Sequence, residues 1–396
     1  MNAKEKYQEF YHRSAEALSF CPYRVCPVGA HIDHQLGKVT GFALDKGIHI
    51  AYSPQSDDTI EMQSLNFSNL AQFRLSEIPK QKVNDWADHL RGAALVIQKR
   101  YPLKHGLSGI IEGTLPVGGL SSSAAVILAF MQALCRVNEL QIPPDELIKL
   151  AQMVENQYVG VNCGTLDQSC EVLCKKEHLL YLDTKDASYK LLPQPSDMPP
   201  FKIAIFFSGL DRALTGTQYN MRVDECRSAG YALLAYAGLP YGKLAETNLR
   251  DIPQEVFNAY KERLPLPWRL RAEHCYGEMN RVEKAVAAWT KGDIEEFGRI
   301  SFESGRSTID YWETGCDQMK TIYNIMAKTE GILGGRFSGA GFKGCCMALI
   351  RPDAAEAITE KVTHEYLAAY PELAGKFSVH ICDTASGLAY QLEATK

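Results

Sequence analysis

One stretch constrains this chain more than any other: Leu115–Ala125, which reads Leu-Pro-Val-Gly-Gly-Leu-Ser-Ser-Ser-Ala-Ala. Gly118 and Gly119 let the backbone turn tightly and approach a ligand closely. The run that follows, Ala124–Leu134, is apolar on nearly every side of a helix, so it must lie inside the fold. A serine at a helix start caps it well. A helix start also presents free N–H groups and the positive end of a dipole, which suits a phosphate. Two readings are open on these residues alone. Leu120, Ser121, Ser122 and Ser123 form either a capping turn or a cradle for phosphate oxygens and a magnesium ion. No stretch reads G-x-x-x-x-G-K-[ST], so a P-loop is excluded. The Asp-Phe-Gly and His-Arg-Asp marks of protein kinases are absent as well.

With 396 residues, 46% of them hydrophobic, the chain is long enough for two domains with their own cores. A net charge of −5 without a basic block argues against nucleic acid as a partner. The twelve cysteines include no C-x-x-C pair. Cys170 and Cys174, and the adjacent Cys345 and Cys346, do not resemble a zinc site. They read as small buried thiols in a reducing compartment. Met1–Phe10 is polar and charged, unlike a signal peptide, and no apolar run reaches membrane-spanning length. The expectation is a cytoplasmic protein without a membrane partner, with a monomer favoured.

Taken in order, residues 1–20 read as an amphipathic helix. Cys21–Gly37 reads as a polar loop carrying Arg24, His31, Asp33 and His34, a density that suggests a binding edge. Ile48, Ile50 and Tyr52 alternate as in a strand, and short strands follow over 58–75. Trp86–Gln98 reads as a helix and Leu107–Glu112 as a strand leading into the serine loop. Asp145–Tyr158 reads as a second helix. Glu155 falls within its apolar arc, so it either meets a cation or reaches solvent at the rim. Thr165 would cap a short helix with Asp167 in its first turn, where a carboxylate also complements the dipole. Pro193–Pro200 holds four prolines and marks a boundary, giving domains 1–198 and 199–396. The second half opens with a strand at Ile203–Phe207 and a polar segment at Ser208–Asp224. Helices follow near 224–237, 268–291, 294–306 and 315–328. Gly339, Gly341 and Gly344 fit G-x-G-x-x-G but lead into a strand-like run, which is wrong for a dinucleotide site. A helix over 353–369 and a strand over 377–382 complete a mixed α/β pattern.

Three of these segments together resemble the three motifs of the GHMP kinases, and within them the galactokinase branch: the loop around Arg24, Gly119-Leu120-Ser121-Ser122-Ser123-Ala124, and the late glycine loop. The likeness runs from about residue 20 to 390. It includes Val159–Gly164 before Asp167, Arg271-Ala272-Glu273-His274, and Gly292-Asp293 through Ser307. Pro22–Gln35, Phe207–Leu210 and Arg336–Cys346 are similar to the branch members that phosphorylate galacturonic acid. The resemblance implies an α+β fold of two lobes, the first like domain 2 of ribosomal protein S5 and the second ferredoxin-like, with the nucleotide between them.

It also implies a reaction: magnesium-dependent transfer of the ATP γ-phosphoryl group to the 1-hydroxyl of D-galacturonic acid, giving galacturonate 1-phosphate and ADP. Galactose, glucuronate and arabinose are the alternative acceptors, and a non-catalytic sensor of sugar and ATP is the alternative outside the enzymes. The implied roles are Asp167 facing the 1-hydroxyl, Arg24 beside it, Ser123 and Glu155 on Mg2+, and Gly118 to Ser123 on the phosphates. Asp33 and Tyr219 would hold ring hydroxyls, His31 the C6 end, and Trp86 the adenine. Galactokinases read Gly-Glu-His-Thr-Asp-Tyr where this chain has Gly29-Ala30-His31-Ile32-Asp33-His34. The family glutamate lies near the 6-hydroxyl, where a uronic acid carries a carboxylate. Two negative charges ~4 Å apart repel by roughly 4 kcal/mol at an effective dielectric of 20. Ala30 removes that repulsion and makes room, and His34 in place of tyrosine would add a donor or a positive charge. Lys46 and Arg212 are candidate partners for the carboxylate, or ordinary surface cations. The serine loop is one residue shorter than the family pattern, and the third motif has Ala340 and Lys343 in place of glycines.

Overall fold

The computed structural model describes residues 2–210 and 216–393. In chain order the strands are β1 (Ala17–Val25), β2 (Lys38–Pro54), β3 (Thr59–Ser64), β4 (Ala71–Arg74), β5 (Leu107–Gly113), β6 (His178–Asp183), β7 (Tyr189–Pro193), β8 (Lys202–Phe207), β9 (Ile332–Phe337), β10 (Cys345–Ile350), β11 (Ser378–Cys382) and β12 (Thr384–Ala385). The α-helices are α1 (Ala3–Tyr11), α2 (Asp88–Gln98), α3 (Ser122–Val137), α4 (Pro144–Met153), α5 (Leu166–Leu173), α6 (Gly216–Tyr236), α7 (Gln254–Tyr260), α8 (Leu266–Thr290), α9 (Ile294–Asp310), α10 (Asp317–Met326), α11 (Ala355–Ala369) and α12 (Leu388–Glu393).

The first sheet runs β4-β3-β5-β2-β6-β7, with β1 and β12 also paired to β2. Its centre is β2, whose seventeen residues pair with β6 near their start and with β5 near their end. The second sheet is antiparallel, in the order β11-β8-β10-β9. The unbroken apolar runs of β8 and β10 follow from burial on both faces. Ala204 and Phe206 face one core with α10 and α11, while Ile203, Ile205 and Phe207 face the other. That second core is continuous with the inside of the first sheet, where Phe130 and Leu134 of α3 lie fully buried. The expected division at 198/199 falls between β7 and β8, yet β12 returns to pair with β2.

Four expectations need correction. The first helix ends at Tyr11, and the chain then enters β1. Arg24 therefore sits on a buried strand, not in a loop. The helix read over Asp145–Tyr158 is α-helical only to Met153; residues 154–159 widen into a π turn. α6 begins at Gly216, inside the segment read as polar and ahead of the helix expected near 224–237.

Candidate active site

A cleft of about 610 Å³ opens where the two sheets meet, lined by the Arg24–Asp33 segment, the serine loop, the π turn, the start of α5 and the β9–β10 loop. Arg24 and Asp167 form its floor. Arg24 Nε and Nη2 each reach Asp167 Oδ1 at 2.7 Å, and Nη1 donates to the Gly119 carbonyl. Burial works against the Arg24 charge, but the adjacent Asp167 carboxylate outweighs it. The second Asp167 oxygen accepts from the Ser121 hydroxyl at 2.7 Å.

Ser121 is the N-cap of α3, but it makes no side-chain cap and its φ is 60°. A left-handed non-glycine residue is uncommon and strained, and such residues gather at functional sites. The hydroxyl expected to cap the helix is spent on Asp167. The first turn of α3 therefore keeps its N–H groups available to an anion, beside Ser122 and Ser123.

Across the cleft the two glycine loops touch. A Cβ on Gly339 would lie 2.8 Å from Gly119 Cα, and one on Gly344 would lie 2.9 Å from the Gly118 carbonyl carbon. Gly118 and Gly119 also have φ of 140° and 85°, where side chains are rarely accommodated. Lys343 lines the cleft on this side.

Glu155 points into the cleft from the π turn, and π turns often occur at functional sites. It is buried and accepts from Gln168 Nε2 at 2.8 Å and from the Cys163 thiol. Ser122 and Ser123 line the same space.

At the opposite end Asp33 is buried beside Gly164, and Leu166 N–H donates to its Oδ2. A Cβ at Gly164 would come within 2.4 Å of that oxygen, so only glycine admits Asp33 here. Burial, then the Asp167 charge, push the Asp33 pKa up to about 6. His31 lies flat on Trp312, 5.0 Å between ring centres, and its φ of 65° is again left-handed. His274 bridges Ser307 and the Ala30 carbonyl. Beneath them Glu278 accepts from Gly29 N–H and Ser304 and pairs with Arg281 and Arg336. This buried network ties the first motif to α8, α9 and β9. The two arginines outweigh burial and hold the Glu278 pKa down to about 2.

Comparison with known proteins decides the family. A profile described as "GHMP kinases N terminal domain" matches residues 85–175, "GHMP kinases C terminal" matches 283–368, and "Galactokinase galactose-binding signature" matches 5–54. The galacturonokinase of Arabidopsis thaliana is 38% identical over 386 residues, covering 91% of this chain and 90% of that protein. The chain belongs to the GHMP kinases. A galactokinase of Roseiflexus sp. (strain RS-1) is 30% identical, covering 97% of this chain and 95% of its own. The crystal structure of Lactococcus lactis galactokinase complexed with galactose superposes with a TM-score of 0.87 at 27% identity, covering 97% of both chains. This GHMP kinase is a sugar kinase with the two-lobed fold of the family.

In this GHMP kinase the cleft brings together Arg24, Ala30, His31, Asp33, Gly118, Gly119, Ser121, Ser122, Ser123, Glu155, Asp167 and Tyr219. Four other expected residues do not line it. Lys46 is half-buried on β2, where it pairs with Asp45 at 3.2 Å away from the cleft lining. Trp86 packs parallel to Phe67 and donates to the Asn69 carbonyl, which turns its ring off the cleft while Lys82, Asn84 and His89 line it. Leu120 points into the core and gives its carbonyl to Arg24 N–H. His34 lies one layer back, its ring edge-on to Tyr219. Arg212 lies outside the described residues. Sequence reasoning missed Trp312, which follows α9 with no pattern to mark it. It also missed Glu171, a fully buried acid on α5 whose carboxyl oxygens have no hydrogen-bond partner among the described residues. Burial, reinforced by the Asp167 charge, raises the Glu171 pKa far above the carboxylate range. No described helix is long and apolar enough to cross a membrane, and the described cysteines are all unpaired.

Proposed function

We propose that this sugar kinase transfers the ATP γ-phosphoryl group to the 1-hydroxyl of D-galacturonic acid, giving galacturonate 1-phosphate and ADP. The observation that carries the acceptor is Ala30, a short neutral side chain lining the cleft beside His31 and Asp33. A glutamate there would oppose a C6 carboxylate by roughly 4 kcal/mol at ~4 Å and an effective dielectric of 20. The 38% identity to a galacturonokinase supports the same reading. Galactose is the second reading, favoured by the galactokinase relatives.

Phosphoryl transfer needs alignment and charge neutralisation more than a strong base. The acceptor O1 forms a bond to Pγ as the bond from Pγ to the β-phosphate oxygen breaks; ADP leaves, and the O1 proton passes to Asp167 and from there to solvent. Asp167 accepts the O1 hydrogen bond and orients the lone pair; its own carboxylate is fixed by Arg24 and Ser121. Arg24 neutralises charge that builds between the reactants. The α3 N-terminus and the two glycine loops hold the phosphates through backbone N–H groups. Asp33 and Tyr219 take ring hydroxyls.

Glu155, Ser122 and Ser123 supply hard oxygen donors that fit Mg2+. No group of three His, Cys, Asp or Glu among the described residues could hold a metal; Mg2+ held by Glu155 and the serines would take its other ligands from the nucleotide and water. Bound there, the cation would neutralise phosphate charge. The test is ADP release with galacturonate, galactose and glucuronate at equal concentration, with Mg2+ and with a chelator. Preference for galactose would overturn the acceptor, and turnover in the chelator would remove the cation.

A further inference from the structure

Three buried nitrogens at the sugar end have no hydrogen-bond partner among the described residues: His31 Nε2, on a ring that lines the cleft, and His34 Nε2 and Trp312 Nε1, on residues that do not. His34 and Trp312 are at least nine-tenths buried, so neither of their nitrogens finds water instead. An indole N–H can only donate. The state of His34 follows from its neighbour. Gln35 accepts from Leu249 N–H through Oε1, which fixes the amide so that its Nε2 faces His34 Nδ1 at 3.1 Å. An NH2 group donates, so Nδ1 is the acceptor and the proton of a neutral ring sits on Nε2. Burial, aided by the Arg227 charge, pushes the His34 pKa down to about 3, which keeps that ring neutral.

Two donors are therefore buried without an acceptor, each costing free energy until one arrives. They belong to one cluster. Trp312 is 5.6 Å from His34 and 5.0 Å from His31, ring centre to ring centre. His31 and Ala30 line the cleft directly in front of them. The Arg227 charge also acts on His34.

We propose that the His34 and Trp312 N–H groups receive the C6 carboxylate of the acceptor, reached through the space that the short Ala30 side chain leaves. This rests on the reading of the acceptor as a uronic acid. It replaces a lysine or arginine clamp by two neutral donors on buried residues, where a hydrogen bond to a charged group is strong.

The test compares KM for galacturonate and galactose in the wild type, Trp312→Phe and His34→Phe. Each variant deletes one N–H and keeps a ring. Galacturonate KM should rise by about tenfold or more, as expected for a hydrogen bond to a charge, with galactose KM within about twofold. Parallel changes for both sugars, or no change, would overturn the assignment. Where a variant fails to fold, the wild type decides: the methyl ester of galacturonate should have a KM at least about tenfold above the acid, and equal values would overturn it. A wild type that uses galactose but no uronic acid overturns the acceptor reading, and this inference with it. A wild type that prefers galacturonate while the folded variants keep that preference overturns the donors alone.

Discussion

Arg24 places two nitrogens, Nε and Nη2, on one oxygen of Asp167 at 2.7 Å each, and leaves the other oxygen to Ser121. The carboxylate is thereby fixed in plane and direction before any substrate arrives, the condition for orienting an attacking hydroxyl.

Asp167→Asn keeps the shape but turns one oxygen into a donor that faces either Arg24 or Ser121. We expect kcat to fall by at least about 10²-fold while ATP binding, followed by calorimetry, is retained. Near-normal turnover would take Asp167 out of the reaction. Arg24→Lys should also fail, because one ammonium cannot hold both Oδ1 and the Gly119 carbonyl in a fixed fork.

Ala30→Glu restores the acid that galactokinases carry. Galacturonate kcat/KM should drop by about 10²-fold or more, with galactose use kept or gained, read from competition between the two sugars. An unchanged ratio would remove charge repulsion as the basis of choice.

The Asp33 pKa of about 6 predicts a pH dependence in sugar binding. Below pH 6 the group takes a proton and loses an acceptor for ring hydroxyls, so sugar KM should rise there while ATP KM does not. Asp33→Asn should flatten that profile. The sign for folding is opposite: a carboxyl raised from 3.8 to about 6 makes the native state less favourable as pH rises through that window.

Glu278→Gln leaves Arg281 and Arg336 around a neutral amide. Breaking a buried pair this way costs about 3–5 kcal/mol, measured by urea unfolding at pH 7. Because the native pKa is about 2 against an ordinary 4.5, the wild-type pair stabilises fully above pH 4.5 and loses that contribution as pH falls toward 2. The variant's deficit should therefore shrink with acid; a deficit that stays constant would assign it to packing.

Much of this was legible from periodicity. The apolar length of α3 and the two-sided burial of β8 and β10 leave few alternatives. What failed failed through tertiary partners. Arg24 flanked by prolines and cysteines looks like loop, yet β2 makes it a strand by pairing. Ser121 looks like a cap, but Asp167, forty-six residues away, takes its hydroxyl. The 100° spacing placed Glu155 among apolar neighbours, and a straight helix could not reveal the π turn that carries it. Trp312 and Glu171 carry no local pattern, because their meaning lies in what surrounds them in space.

The contact between Gly118–Gly119 and Gly339–Gly344 has a consequence for how the protein holds together. No side chain separates Gly118 from Gly344, so a polyphosphate bound as proposed would lie on both turns. The free energy of binding the nucleotide would then also be free energy of fastening the first lobe to the second. A chain severed in the proline-rich linker between β7 and β8 would have, in its own substrate, the clasp that keeps its two pieces joined.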